Sequence, residues 1–313
     1  MRIVVPDYYS RFRCLAGECR HNCCIGWEID IDDETLSFYD GVTGKMGEKL
    51  ASNICRDEES AHFCMKENGR CPFLNENDLC EIIINLGFDK VSQICDDHPR
   101  FRNFYSGREE IGLGMSCEAV AQLILTKPDK TQLVCLEDDE EELWPDEWDF
   151  LDLRDDIFAA LQNREKPIDE RIADALSLCG IQPAMFTASQ LADIFLPLER
   201  LDEEWTFLLQ NLKNIPEEKL GISDMNFDTA FEQLLIYLVF RHTTESLDDG
   251  CFTGRMLMVT ASFYLIRYLC RAHRIDHGGV DMTALCEIAR MFSAEIEYST
   301  ENTVALTEYF EKI

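Results

Sequence analysis

The chain has 313 residues, of which 46% are apolar and 10% aromatic, and its formal net charge is −31. This composition is typical of a folded globular protein with one large or two ordinary domains, and it excludes a largely disordered chain. The negative charge excludes nucleic acid as a partner, because its phosphates would be repelled. It favours either a basic partner or simply high solubility.

The sequence gives no sign of a membrane segment. The most apolar stretch, residues 256–266, lies between two arginines and is shorter than the roughly 18–20 apolar residues that span a bilayer. The first residues lack the hydrophobic core of a signal peptide. We therefore predict a cytoplasmic protein with no membrane contact, in which cysteines are more often metal ligands or buried side chains than disulfides.

Eight of the fifteen cysteines occur before residue 120 in short, polar surroundings. We assign them to a metal site: Cys14, Cys19, Cys23, Cys24, Cys71, Cys80, Cys95 and Cys117. Thiolates are soft ligands that select zinc or iron–sulfur units. The adjacent Cys23 and Cys24 cannot easily both reach one small ion, so a cluster or a two-site arrangement fits better. His21 and His98 stand beside cysteines and are alternative ligands.

The remaining cysteines have a different character. Cys55 and Cys64 match no ligand spacing, and we give them no role in the metal site. The later cysteines stand singly in apolar, helix-like contexts, where a thiol behaves as a small buried hydrophobic group.

The first hundred residues predict short elements. Alternating apolar and acidic residues over 27–32 predict a strand, after which Asp32 or Asp33 N-caps a helix that carries Leu36 on its apolar face. Residues 52–70 are polar and predict a loop.

Two later helices are expected to present cysteines. Helical turns over 88–94 would end at Cys95, and Ser116 would N-cap a helix with Cys117 in its first turn. A thiolate in that position is favoured by the helix dipole.

The second half of the chain has a different pattern. Residues 137–142 are six acidic residues in a row and predict a solvated connector. Beyond it, apolar residues recur at three- and four-residue steps, the pattern of one apolar helix face. The predicted helices cover about 148–161, 172–179, 188–213, 227–242, 253–273, 281–296 and 300–312. We predict a mainly α protein with a loop-rich cysteine-cluster domain over 1–135 and an all-helical domain over 145–313.

The cysteine pattern and its neighbours resemble the flagellin lysine N-methylase family, which is related to bacterial cysteine-cluster proteins that chelate zinc or iron. The resembling pieces are Tyr8-Tyr-Ser-Arg-Phe-Arg-Cys14, Cys19-Arg-His-Asn-Cys-Cys-Ile-Gly-Trp27, Ile29-Asp-Ile-Asp32, Cys71-Pro-Phe-Leu74, Leu79-Cys-Glu-Ile82, Cys95 with His98-Pro-Arg100, and Glu110 with Leu113 and Ser116-Cys117. The sequence departs from the family at Glu118, where proline is usual, and at Gly112, where serine is common.

The resemblance implies a methyltransferase that moves a methyl group from S-adenosylmethionine to lysine side chains of flagellin and carries a [4Fe–4S] cluster, with zinc as the alternative metal. A lysine amine must be neutral to attack, although its ordinary pKa is about 10.4, so the site needs desolvation or a base. The first candidate base is Glu110, which coincides with a family motif; Tyr105, Glu28 and Asp30 are the others. The alternative for Glu110 is a salt bridge to an arginine.

Trp27 and Arg100 are the candidate contacts for S-adenosylmethionine, Trp27 through the face of its indole ring. The alternative for Trp27 is core packing beside the cluster. No Gly-x-Gly-x-x-Gly follows a strand, and Gly26 interrupts the Cys-x3-Cys-x2-Cys spacing of radical enzymes. Two other functions therefore stay open: a non-catalytic zinc or iron–sulfur module that docks a protein partner, and electron transfer.

Overall fold

The computed structural model describes residues 1–26, 29–57, 60–137, 142–221 and 226–313. Its strands are β1 (Arg2–Pro6), β2 (Ile54–Arg56), β3 (Ala61–Phe63), β4 (Arg100–Phe104), β5 (Arg108–Leu113) and β6 (Leu133–Glu137).

The protein is mainly α-helical, as predicted. Its α-helices are α1 (Asp33–Gly41), α2 (Gly44–Asn53), α3 (Glu81–Leu86), α4 (Gln93–Asp97), α5 (Glu118–Leu125), α6 (Pro145–Leu161), α7 (Ile168–Leu178), α8 (Ala188–Phe195), α9 (Glu203–Asn214), α10 (Asp228–His242), α11 (Ser246–Asp249), α12 (Phe252–His277), α13 (Met282–Phe292) and α14 (Thr300–Glu311).

The chain divides into two compact units. Residues Arg13–Arg100 form the first, which we call the cysteine unit, and Met1–Phe12 with Phe101–Ile313 form the second, the helical unit. This division does not coincide with the predicted domains of 1–135 and 145–313. The reason is a sheet of order β4-β5-β1-β6, in which β1 pairs in parallel with β5 and antiparallel with β6. Backbone pairing therefore joins both ends of the predicted first domain to the helical unit.

Long apolar helices form the core of the helical unit. Helix α12 is 26 residues long and buries side chains on all of its faces, which is the pattern of a central helix. It packs against α14, α10 and α13. Beyond residue 148 the described residues contain no strand, as predicted.

Two predicted helices differ from the structure. The expected helix over 188–213 is two helices, α8 and α9, because Pro197 cannot continue a helix and disfavours helical geometry in the residue before it. The expected helix over 281–296 is α13 followed by a π-helical turn over Ser293–Glu297. A π-helical turn within or next to an α-helix is rare and frequently marks a functional site.

The cysteine unit consists of short elements. Helix α1 begins as predicted, because the Asp32 carboxylate accepts a hydrogen bond from Thr35 N at 2.9 Å. The predicted loop over 52–70 is wrong in part, since β2 and β3 pair there as an antiparallel hairpin. Cys55 and Cys64 form a disulfide across it, contrary to the expectation of thiols without disulfides.

The cysteine-bearing helices also start later than predicted. The turns over 88–94 are a 3₁₀ turn at Phe88–Lys90 and then α4, so that Cys95 lies within a helix rather than after one. Cys117, not Ser116, is the N-cap of α5. Of the predicted acidic connector, residues 138–141 lie outside the described residues. No helix in the described part of the chain is both long and apolar enough to cross a membrane.

Candidate functional site

Four of the predicted ligands lie in or against the core of the cysteine unit. Cys71 is buried there, and Cys24, Cys80 and Cys95 pack against the same group of apolar side chains. The backbone fixes this arrangement: Cys71 N donates to the Cys24 carbonyl at 2.8 Å, and a β-bridge joins Leu74 to Cys80. Residues that are far apart in sequence thereby supply thiols to one region.

Burial controls the protonation of these thiols. It raises the pKa of Cys71 to about 11, although the Phe73 and Leu74 N–H groups donate to that sulfur and oppose the rise. Burial likewise raises the pKa of Cys95 to about 12, and negative charge on Cys71 or Cys80 adds to the effect. The negative charge of one thiolate raises the pKa of a neighbouring thiol. Several such thiols therefore become thiolates together only when a cation lies among them.

Cys23 and Cys24 form a hydrogen-bonded pair. Their hydrogen bond, donated by Cys24, is the main cause that lowers the pKa of Cys23 to about 4, and His98 also donates to the Cys23 sulfur. The same bond, with burial, raises the pKa of Cys24 well above its ordinary value. His98 is thus brought to the cysteine group, as its position beside Cys95 suggested, but it contacts Cys23.

The other predicted ligands lie elsewhere. Cys14 is exposed and accepts a hydrogen bond from Ala16 N at 3.3 Å, and Cys19 donates to the His21 carbonyl at 3.3 Å. Cys117 packs against the core of the helical unit. Among the residues that the structure describes, no three His, Cys, Asp or Glu side chains already stand in metal-binding geometry.

The first candidate base, Glu110, is fully buried in the helical unit. Arg154 donates to both of its oxygens, at 2.6 and 2.7 Å, and Arg108 lies 2.5 Å from Oε1. Burial alone would raise the pKa of Glu110, but the charge and hydrogen bonds of Arg154 outweigh it and leave the pKa lowered. This environment suits a structural ion pair better than a base, because the lowered pKa weakens proton affinity.

Tyr105 belongs to the same buried group. Its hydroxyl donates to Glu110 at 3.2 Å, lies 3.0 Å from the Thr244 hydroxyl and accepts from Arg154 at 3.1 Å. Burial raises the pKa of Tyr105 well above its ordinary value. Tyr105 and Glu110, which the sequence proposed separately, are therefore one hydrogen-bonded unit.

The remaining candidates are two possible bases and two possible contacts for S-adenosylmethionine. Trp27 and Glu28 lie outside the described residues. Asp30 is exposed and pairs through its backbone with His62. Arg100 donates to the Asp96 carbonyl at 2.7 Å.

The structure also shows a buried polar group that sequence reasoning missed. Glu297, in the π-helical turn, accepts hydrogen bonds from Tyr237 at 2.6 Å and pairs with His242 at 2.8 Å. Burial opposes its charge, but Arg241 and His242 together lower the pKa of Glu297 to about 2. The available signal was a tyrosine, an arginine and a histidine in the C-terminal half of α10.

This buried group adjoins the Leu113–Cys117 motif of the family resemblance. Met115 N donates to the Tyr237 hydroxyl at 3.1 Å. A Cβ on Gly114 would lie 2.4 Å from the Tyr298 hydroxyl and 2.8 Å from the Arg241 guanidinium, so a larger residue there would displace these two side chains. The guanidinium of Arg241 lies between the rings of Phe101 and Tyr298, 4.7 and 4.8 Å from their centroids.

Comparison with known proteins shows which proteins the chain is similar to. A family model described as the FliB lysine N-methylase C-terminal domain matches residues 225–313, which include Tyr237, Arg241, His242 and Glu297. The C-terminal part of the chain is therefore similar to a lysine N-methylase domain, which agrees with the resemblance predicted from the cysteine motifs.

The relatives are similar over part of their length. A lysine-N-methylase of Salmonella typhimurium is 28% identical over 137 residues, which are 42% of this chain and 34% of that protein. The lysine-N-methylase of Salmonella choleraesuis gives the same values. The flagellar biosynthetic protein FliU of Salmonella muenchen is 27% identical over 137 residues, 42% of this chain and 81% of that protein. The chain thus spans about a third of the lysine-N-methylases that it matches. No solved structure matches it significantly.

Proposed function

We propose that this protein is a protein-lysine N-methyltransferase that transfers a methyl group from S-adenosylmethionine to lysine side chains of flagellin in the cytoplasm. The observation that carries the proposal is the match of residues 225–313 to the FliB lysine N-methylase C-terminal domain. The names of the relatives, a lysine-N-methylase and a flagellar biosynthetic protein, agree with the reaction and with the substrate.

The cysteine unit fits a [4Fe–4S] cluster by the chemistry of its donors. Cys24, Cys71, Cys80 and Cys95 share one core, which gives the four thiolates that such a cluster takes. The N–H groups of Phe73 and Leu74 that point at the Cys71 sulfur are of the kind that tune thiolate ligands. We propose these four as ligands, with side-chain rotation bringing them to the metal, and zinc as the alternative.

A bound iron–sulfur cluster supplies one-electron chemistry. The contribution of the chain's own residues to methyl transfer is different. The attacking amine must be neutral and in line with the methyl group, and desolvation lowers the pKa of an ammonium. Residues that exclude water and orient the lysine are therefore the ones to seek in the helical unit.

The test uses protein purified without oxygen. It is incubated with flagellin and S-adenosylmethionine carrying an isotopically labelled methyl group, and flagellin lysines are examined by mass spectrometry. We expect labelled N-methyl-lysine, and iron and sulfide in the protein at about one cluster per chain.

The competing functions give different results. A protein that contains stoichiometric zinc and leaves flagellin unlabelled would be a binding module. One that contains iron, cycles between redox states and transfers no methyl group would be an electron carrier.

The charge of the chain gives a second measurement. At −31 its field should steer a lysine-bearing partner towards it. The Debye length falls from about 10 Å at 0.1 M salt to about 3 Å at 1 M. We therefore expect kcat/KM for flagellin to fall as salt rises, with kcat little changed. A kcat/KM that ignores salt would mean that the acidic surface serves solubility.

A further inference from the structure

The helical unit has an open cleft near the start of α6. It has a volume of about 730 Å³ and is lined by Ser106, Glu142, Leu143, Trp144 and Trp148. The two tryptophans are 66% and 44% exposed. Large aromatic side chains that remain in solvent together are uncommon on a folded surface and mark binding sites more often than scattered apolar residues do.

Both tryptophans belong to the start of α6. Trp144 is the N-cap of α6 and Trp148 follows four residues later, and Trp148 N donates to the Trp144 carbonyl at 3.1 Å. Both side chains line the cleft.

Hydrogen bonds join Ser106, in the turn between β4 and β5, to the start of α6. The Glu147 carboxylate accepts from Ser106 N at 2.8 Å and from Trp144 N at 2.7 Å, and the Ser106 hydroxyl donates to the Glu142 carbonyl at 2.9 Å. Burial opposes the charge of Glu147, but these donors outweigh it and lower its pKa. A carboxylate thus offsets the positive end of the helix beneath the tryptophans.

The close approach of the two walls depends on a glycine. A Cβ added to Gly107 would lie 2.6 Å from Glu142 N and 2.7 Å from its carbonyl oxygen. Backbone atoms cannot yield as a flexible side chain would, so only glycine permits this contact. The cleft is therefore a formed feature of the turn between β4 and β5 and the start of α6.

The chemistry of the lining selects a cation. Indole faces attract ammonium groups, more strongly when these carry methyl groups and lose water. Glu142 is exposed beside them, and Asp146 is exposed in the first turn of α6. Taking methyl transfer to lysine as the function, we propose that this tryptophan cleft binds the side chain of a lysine of the protein substrate, in its free or N-methylated form, and so holds the substrate protein.

The test measures binding without any methyl donor. The full-length protein is titrated with a short peptide that contains one lysine, with the same peptide Nε-trimethylated, and with the same peptide Nε-acetylated, which removes the charge. Indole fluorescence and calorimetry report the dissociation constant. We expect the order trimethylated, then free, then acetylated, with the acetylated peptide bound at least tenfold more weakly than the trimethylated one.

Variants assign the binding to the cleft. Trp144→Ala and Trp148→Ala should each weaken binding of the trimethylated peptide about three- to tenfold, and Glu142→Gln should reduce its salt dependence. Gly107→Ala should weaken binding without changing an aromatic side chain. Phe207→Ala is the control, because Phe207 is 66% exposed on α9 and lies outside the cleft lining. Trp148→Phe keeps an aromatic face and should retain most of the affinity.

Equal binding of the charged and acetylated peptides, or full binding by both tryptophan variants, would overturn the proposal. The methyltransferase reaction is scored separately. If flagellin is methylated and Trp144→Ala leaves KM unchanged, the cleft assignment alone is wrong. If the cleft binds lysine as described but no methyl group is transferred under any condition, the proposed reaction fails and the cation site stands.

Discussion

The cysteine unit and the helical unit differ in how they are held together. The longest helix of the cysteine unit has 10 residues, whereas the helical unit is built around one of 26. The core of the cysteine unit is small and includes thiols, and the hairpin beside it carries a disulfide. Small units cannot bury enough apolar surface to fold firmly, so covalent or metal cross-links replace it. The disulfide and the buried thiols therefore belong to what holds the cysteine unit together.

The two units also differ in how deeply their charged side chains are buried. The helical unit buries Glu110 and Glu297 among arginines and tyrosines. In the cysteine unit the ion pairs are partly exposed, as in Arg70 with Asp78 at 2.6 Å. Exposed pairs contribute about 0–1 kcal/mol, whereas removing one partner of a buried pair costs far more. Charge should therefore matter to the stability of the helical unit and thiols to that of the cysteine unit.

The largest effect should follow from removing one proposed ligand. Cys71→Ser should abolish most iron binding and destabilise the cysteine unit by several kcal/mol, because metal binding is coupled to folding. Metal analysis and the thermal transition of the purified protein measure both. The control is Cys270→Ala, since Cys270 is buried in α12 of the helical unit. Iron content that is unchanged in Cys71→Ser would remove Cys71 from the ligand set.

The next effect concerns the buried ion pair. Glu110→Gln should lower the free energy of unfolding of the helical unit by about 3–5 kcal/mol, because it leaves the buried Arg154 without its carboxylate partner. Arg154→Met should cost less, because Arg108 still pairs with Glu110. Denaturant titration gives that number. Turnover of the folded Glu110→Gln protein then decides the base assignment. A base would lose most of kcat at every salt concentration, and full turnover would leave Glu110 a structural residue.

Much of the fold could be predicted from local patterns. The apolar period of three and four residues located α7, α10, α12 and α14, because long helices are specified by their own residues. The sheet was not predictable in the same way. Its β1 pairs with β5, so that Arg2 lies opposite Arg108, and sequence spacing carries no signal for a pairing over such a distance.

The two groups of the candidate site also differ in how far the sequence indicates them. The loop-like spacing of the thiols predicted eight ligands, and of these Cys24, Cys71, Cys80 and Cys95 lie in or against one core. The group around Glu297 was not predicted, because an acidic residue at the end of a predicted helix is usually solvated. Only tertiary packing shows that Tyr237 and His242 reach it. Buried polar groups of this kind are identified by their partners and not by their sequence neighbours.

The buried Glu297 should make the helical unit sensitive to acid. Its folded pKa of about 2 lies below the ordinary value of 4.5, so the stabilisation is complete above about pH 4.5. It is then lost as pH falls towards 2, at about 1.4 kcal/mol per pKa unit, or roughly 3 kcal/mol in all. Denaturant titrations between pH 6 and pH 2.5 measure this slope. Glu297→Gln should flatten it.

The matched control for that slope is Glu308→Gln. Glu308 is exposed on α14 and pairs with Lys312 at 3.3 Å. Its replacement should leave the acid slope unchanged. A slope that is the same in Glu297→Gln and in the unaltered protein would mean that other carboxylates, Glu110 among them, carry the acid sensitivity.

The smallest effect compares one helix cap in each unit. Asp32 accepts from Thr35 N at 2.9 Å and, through its other oxygen, from Gln93 N at 2.9 Å, so it joins the start of α1 to the start of α4. Asp281 caps α13 by accepting from Ala284 N at 2.9 Å. Replacing either by alanine should cost about 1 kcal/mol.

The two cap variants should differ in metal affinity, although their losses of stability are similar. Helix α4 carries Cys95, so Asp32→Ala should loosen a proposed ligand and speed the loss of iron to a chelator, whereas Asp281→Ala should not. Asp32→Asn has one acceptor oxygen in place of two, so it can keep the bond from Thr35 N but loses the bond from Gln93 N, and it should release iron as fast as Asp32→Ala. Iron release followed by absorbance under identical chelator concentration makes the comparison. Equal release rates in Asp32→Ala and Asp281→Ala would show that the position of α4 does not govern the metal site, and would separate the folding of the cysteine unit from its metal binding.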